Sequence, residues 1–208
     1  MRALWYQYPA LYEWSLRLLP GDSDAVFRTI AELVGTGRRV LDLGCGPGTL
    51  ARYLLPGCTY EGWDLNPRFA AYAQRRGINV LVRDCLDSGP YPPVECIVIS
   101  RLLHHLGSRD HELIQRTLAQ ARERVIIFEP TLEEEHHGLY GLVYRLRAWL
   151  GLEALLGDHD GVAAHGRPRS KAELVDFLAA EAPCQFIQPD NILFVLAVFD
   201  TQAGGSAA

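Results

Sequence analysis

Lysine is almost missing from this 208-residue chain: Lys171 stands alone, and arginine supplies the rest of the 20 basic residues. Against 25 acidic residues they leave a formal net charge of -5. That balance argues against a nucleic-acid partner, which normally requires a basic patch facing the phosphates. No run of about eighteen uncharged apolar residues is present, so nothing is expected to span a membrane. The first residues, Met1 to Tyr6, lack the long apolar core of a signal peptide. The five cysteines (Cys45, Cys58, Cys85, Cys96, Cys184) are odd in number, scattered, and without a C-x-x-C pair. A disulfide framework or zinc site is therefore not expected, and reduced thiols in a cytoplasmic protein fit better.

What is present suits one soluble domain. An apolar fraction of 49% and a charged fraction of 22% are ordinary for a globular core of this size. Short apolar runs at 40–43, 59–63, 78–82, 96–99 and 125–128 predict strands. Helix-like segments at 50–55, 68–76 and 110–122 separate them, and two more are read at 11–19 and 25–34. Such alternation implies crossover units and a mostly parallel sheet between helices. Past Thr131 the pattern changes to an insertion (131–169) holding an amphipathic stripe of Leu139, Leu142, Val143, Leu146, Trp149 and Leu150. Ser170 and Glu173 form a capping-box signature for a further helix. Runs at 184–188 and 192–199 around Pro189-Asp190-Asn191 read as a closing β-hairpin. The expected architecture is α/β: a Rossmann-like, seven-stranded, mostly parallel sheet with a C-terminal antiparallel hairpin, helices on both faces, and a helical insertion after strand five. It occupies 1–200, with 201–208 a flexible tail.

The most informative stretch is Val40-Leu41-Asp42-Leu43-Gly44-Cys45-Gly46-Pro47-Gly48. An apolar strand ends beside an acidic residue and runs into three alternate glycines, where a ligand can lie against bare backbone. Two more acidic strand ends follow, Asp64 in Trp63-Asp64-Leu65-Asn66-Pro67 and Asp84 in Val82-Arg83-Asp84-Cys85-Leu86. A carboxylate at the second strand end suits both hydroxyls of a ribose. The fourth strand leads into Ser100-Arg101-Leu102-Leu103-His104-His105-Leu106. A nicotinamide-dependent dehydrogenase is the rival for such a pattern. Here, however, the spacing is G-x-G-x-G, with Thr49 standing where G-x-x-G would need another glycine.

Taken in order, these motifs resemble class I S-adenosylmethionine-dependent methyltransferases over roughly residues 38 to 130. The LHHL turn and Leu11-Tyr12-Glu13 are similar to small-molecule enzymes of the ubiquinone/menaquinone kind. The resemblance implies S-adenosylmethionine as cofactor, with Asp42, Gly44, Cys45 and Gly46 around its methionine part and Ser100 nearby. It implies Asp64 on the ribose, Leu65 against the adenine, and Asp84, Cys85 and Leu86 completing the adenine pocket. Residues 1–36 would form a helical lid that brings Tyr12 to the cofactor and Tyr6 and Tyr8 toward the substrate.

The function expected from it is methyl transfer to a small, partly hydrophobic molecule; binding without transfer is the alternative. His105, after strand four, is a candidate general base, and equally a packing residue of its loop. His136 is a second candidate, although Glu133, Glu134 and Glu135 beside it also read as a solvated charge run. Tyr140, Tyr144 and Arg145 of the insertion are candidate substrate contacts, the stripe being equally able to pack the insertion onto the domain. No metal is expected, since His136, His137, His159 and His165 lack ligand spacing. A homodimer is among the assemblies the chain allows.

Overall fold

The computed structural model describes residues 4–18, 23–87, 89–131, 169–188, 190–191 and 193–201. The helix expected in the insertion, with His136, His137, Tyr140, Tyr144 and Arg145, and residues 202–208 of the expected tail lie outside these residues.

Strands β1 (Arg39–Leu43), β2 (Thr59–Asp64), β3 (Val80–Val82), β4 (Cys96–Ser100) and β5 (Arg124–Pro130) run parallel. β7 (Phe194–Asp200) pairs antiparallel with β5, and β6 (Gln185–Ile187) with β7, giving the order β3-β2-β1-β4-β5-β7-β6. The central strands β1, β4, β5 and β7 are largely apolar on both faces because both are covered. Leu41, Leu43, Ile97, Ile99, Val125 and Ile127 point to one layer, closed by α5 (Leu103–Leu106), α6 (Asp110–Gln120) and α7 (Lys171–Glu181) through Leu103, Leu113, Ile114, Leu174 and Leu178. Their neighbours Val40, Cys96, Val98, Ile126 and Phe128 point to the other, where α3 (Ser23–Val34) contributes Val26, Ile30 and Val34. The Ser170–Glu173 capping box opens α7 as its spacing predicts.

Two expectations are corrected. The helix read at 50–55 is a single 3₁₀ turn, Thr49–Arg52. Pro56 disfavours helical backbone at Leu55, and the short crossover to β2 leaves no room for more turns. Of the residues 1–36 expected to form a lid, those of α3 make a core helix instead. What remains is α1 (Leu4–Gln7) and α2 (Pro9–Leu18), which contact α4 (Pro67–Gln74).

Sheet order positions the site. β1 and β4 are neighbours, and the chain winds outward from β1 through β2 to β3 before returning to β4. Such a switch point leaves a crevice at the carboxyl ends of the strands, where open α/β sheets collect ligands.

Candidate cofactor cleft at the strand tips

A cleft of about 820 Å³, open to solvent, lies at that crevice. Its floor is the glycine turn after β1, where Gly44 and Gly46 adopt left-handed backbone at φ 68° and 56°. A Cβ on Gly44 would stand 2.8 Å from the Leu102 side chain, whereas one on Gly46 would meet no atom closer than Tyr12 Cε1 at 3.4 Å and would project into the space a ligand needs. The turn is fastened to β2: Gly44 and Cys45 N–H both donate to the Trp63 carbonyl at 2.8 and 3.1 Å.

Asp64, at the tip of β2, lines the cleft and organises its surroundings. Its Oδ2 accepts the Gly46 N–H at 2.8 Å and its Oδ1 accepts the Asn66 N–H at 2.7 Å. Asn66 in turn caps α4 through Oδ1 and donates from Nδ2 to the Tyr6 carbonyl. Asp84 lines the cleft one strand further out, with Oδ1 held by the Leu86 N–H at 2.8 Å. Both carboxylates are acceptor groups on the cleft lining.

The opposite wall comes from the β4 tip. Arg101, in left-handed backbone at φ 54°, lines the cleft with Leu102, His105 and Leu106. A non-glycine residue in that region is strained and persists only when its surroundings over-determine it. Here the Arg101 N–H donates to the Phe128 carbonyl at 2.8 Å. The next three amides, Leu102, Leu103 and His104, all donate to the buried Glu129 carboxylate at 3.1–3.2 Å. Glu129 also bonds His104 Nδ1. Burial pushes the Glu129 carboxyl up, but the His104 charge and hydrogen bond, with the Leu103 and His104 N–H groups, outweigh it and hold the carboxyl below the usual carboxylate range. Tyr6, Tyr12 and Phe69 form the roof, with Tyr12 and Phe69 centroids 5.0 Å apart and Tyr6 edge-on to His105 at 6.5 Å.

Of the residues expected to touch cofactor or substrate, the cleft brings together Tyr6, Tyr12, Gly44, Gly46, Asp64, Leu65, Asp84, Cys85 and His105. Four others stand behind it. Asp42 is buried beneath the glycine turn, accepting the Tyr60 hydroxyl at 2.8 Å. The Cys45 side chain turns inward over Gly62, where an added Cβ would sit 2.6 Å from its sulfur. Leu86 belongs to the core, and Ser100 is still within β4 opposite Phe128. Tyr8 is 55% exposed and away from the cleft lining. Sequence reasoning missed Trp63, Asn66, Phe69, Arg83 and Arg101. The Asn66-Pro67 cap was a readable signal for the first turn of α4, and Arg83 stacks over the Trp63 ring at 3.9 Å.

Burial raises the Asp42 carboxyl from 3.8 to about 7, the Tyr60 bond opposing and the Asp64 charge assisting. Between these values the folded chain holds a proton that the unfolded chain has released, so stability declines as pH rises through the window. Asp42→Asn keeps an acceptor for Tyr60 and removes the titration. Its urea midpoint should lose the decline expected of the wild type between about pH 4 and 7; an unchanged slope would contradict the assignment. The Glu129 contribution is separable, being lost only below the usual carboxylate range.

Parallel strand tips gathered on a glycine turn, in a sheet closed by an antiparallel pair, define a Rossmann-like α/β fold. Residues 40–124 match the family model described as "Methyltransferase domain". The trans-aconitate 2-methyltransferase of Mycobacterium ulcerans (strain Agy99) is 38% identical over 81 residues, 38% of this chain and 31% of that protein. The Mycobacterium tuberculosis protein of the same name (strain ATCC 25177 / H37Ra) is 36% identical over 100 residues, 46% of this chain and 38% of that protein. The chain thus spans about a third of the length of these curated relatives. Among solved structures, the DhpI–SAH complex superposes with a TM-score of 0.63 at 18% identity, covering 93% of this chain and 91% of that one. Human N-acetylserotonin methyltransferase (ASMT) in complex with SAM gives 0.60 at 19%, covering 93% and 55%. At such identity these two are similar in fold. Among the described residues, no helix is long and apolar enough to cross a membrane.

Proposed function

We propose that this chain is an S-adenosylmethionine-dependent methyltransferase acting on a small molecule in the cytoplasm. One observation carries the reading: Asp64 and Asp84, on adjacent strand tips, face the same cleft as the bare backbone of Gly44 and Gly46. A ligand with a sugar diol, an aromatic base and a zwitterionic tail needs separated partners of just these kinds, and the donor set fits it. When bound, that cofactor supplies a sulfonium methyl group already activated for displacement. The chain's task is then to bind, orient and exclude water.

Asp64 would accept the ribose hydroxyls at its carboxylate, while Asp84 and Leu65 bound the adenine side. The strained β4 turn would present His105 to the donor end, where an imidazole can take the proton of a hydroxyl acceptor. Removal of such a base lowers turnover by about 10²-fold or more. His105→Ala is therefore expected to reduce kcat to that extent with little change in S-adenosylhomocysteine affinity; full turnover would reduce His105 to a packing role.

The acceptor is a small organic molecule. The LHHL turn supports a ubiquinone/menaquinone-like subtype, whereas the matched relatives are named for trans-aconitate, and substrate choice resides in the insertion with His136, Tyr140, Tyr144 and Arg145. Incubation with methyl-labelled S-adenosylmethionine, first with trans-aconitate and then with small-molecule extracts, should yield a labelled product. Cofactor binding with no labelled product from any acceptor pool would favour binding without transfer.

A further inference from the structure

The roof of the cleft is attached in an unusual way. None of the described side chains of residues 6–14, the second half of α1 and the first six residues of α2, is fully buried, and Trp14 is 56% exposed. Apart from the packing of Tyr6 and Tyr12 on Phe69, apolar burial, the usual glue between helix and sheet, contributes little along residues 6–14. Polar contacts converge on Glu13 instead, whose side chain is 12% exposed. Its Oε1 accepts from Arg52 at 2.5 Å; its Oε2 accepts from Arg76 at 2.8 Å and from the Tyr72 hydroxyl at 3.0 Å. Arg52 ends the 3₁₀ turn after the glycine loop, and Tyr72 and Arg76 lie on and just beyond α4. One carboxylate thus ties α2 to both elements that frame the cleft. The residue before it, Tyr12, stands over Gly46 and Phe69.

Resting on the cofactor reading above, we propose that Glu13 is a positioning residue, an electrostatic latch that holds the Tyr6–Tyr12 roof shut and sets the rate at which cofactor and its demethylated product exchange. A single exposed ion pair would be too weak for this. Three donors from two elements on one largely buried carboxylate form a network, in which losses are larger and non-additive. Latching also makes exchange salt-sensitive, because two of the donors are cationic and partly exposed.

The test is stopped-flow release of S-adenosylhomocysteine, read by intrinsic tryptophan fluorescence, from the wild type, Glu13→Gln, and Arg52→Gln/Arg76→Gln. Both variants should melt near the wild type yet release the ligand roughly five- to tenfold faster. Combining them should add nothing further. Raising salt to about 1 M, where the screening length is about 3 Å, should speed wild-type release and leave Glu13→Gln unchanged. A merely structural Glu13 would lower the melting temperature without this rate and salt signature. Wild-type binding with equal release rates in all variants overturns the latch; absence of wild-type binding overturns the cofactor reading and the latch together.

Discussion

Asp64→Ala is expected to weaken S-adenosylhomocysteine binding by about 10²-fold or more while the sheet stays folded. Hydrogen bonds to a charged group contribute about 1.5–3 kcal/mol each, and each 1.4 kcal/mol is about tenfold in affinity. Two ribose bonds alone therefore reach that figure. The structure adds a second reason, since the same carboxylate accepts the Gly46 and Asn66 N–H groups. Its removal loosens the glycine turn and the cap of α4 together. The stability loss should stay near 1–2 kcal/mol, because these amides border an open cleft where water can replace the carboxylate. Calorimetry and thermal melting separate the two effects. Unchanged affinity would remove Asp64 from the binding site.

Gly46→Val should abolish binding by a different route. Left-handed backbone in a β-branched residue costs about 1–3 kcal/mol, which for a chain of this length is a drop of roughly 2–12 °C in Tm. Beyond that strain, the side chain would enter the cleft toward Tyr12. Gly35→Val is the matched control: its φ is 81°, and an added Cβ there meets nothing within 4 Å. It should suffer a similar loss of Tm and keep full affinity. Equal affinity in both variants would mean that Gly46 is a turn residue without ligand contact.

These predictions rest on residues whose positions show in local pattern. The glycine turn, Asp64 and Asp84 were legible because strand periodicity and parallel order put their positions at one edge. The seven strands were legible for the same reason, their apolar runs being continuous where both faces are covered. Asp42, Cys45, Leu86 and Ser100 escaped because proximity to a motif says nothing about which way a side chain turns. Asp42 faces Tyr60 beneath the turn, a consequence of strand alternation combined with the β1–β2 register. The Glu129 clamp and the Glu13 latch were invisible for another reason. Each joins residues 25 or more positions apart, and a lone glutamate on a helix or strand carries no mark of the partners that folding brings to it. The 3₁₀ turn at Thr49–Arg52 shows how a nearby proline can override an apolar helical pattern.

The central claim is that the tips of β1, β2 and β3 converge on one S-adenosylmethionine molecule. Isothermal titration of the purified chain with S-adenosylhomocysteine tests it most directly. The account predicts saturable heat with one ligand per chain, sharply reduced by Asp64→Ala. A folded chain that gives no heat and no thermal shift with either form of the cofactor would contradict it.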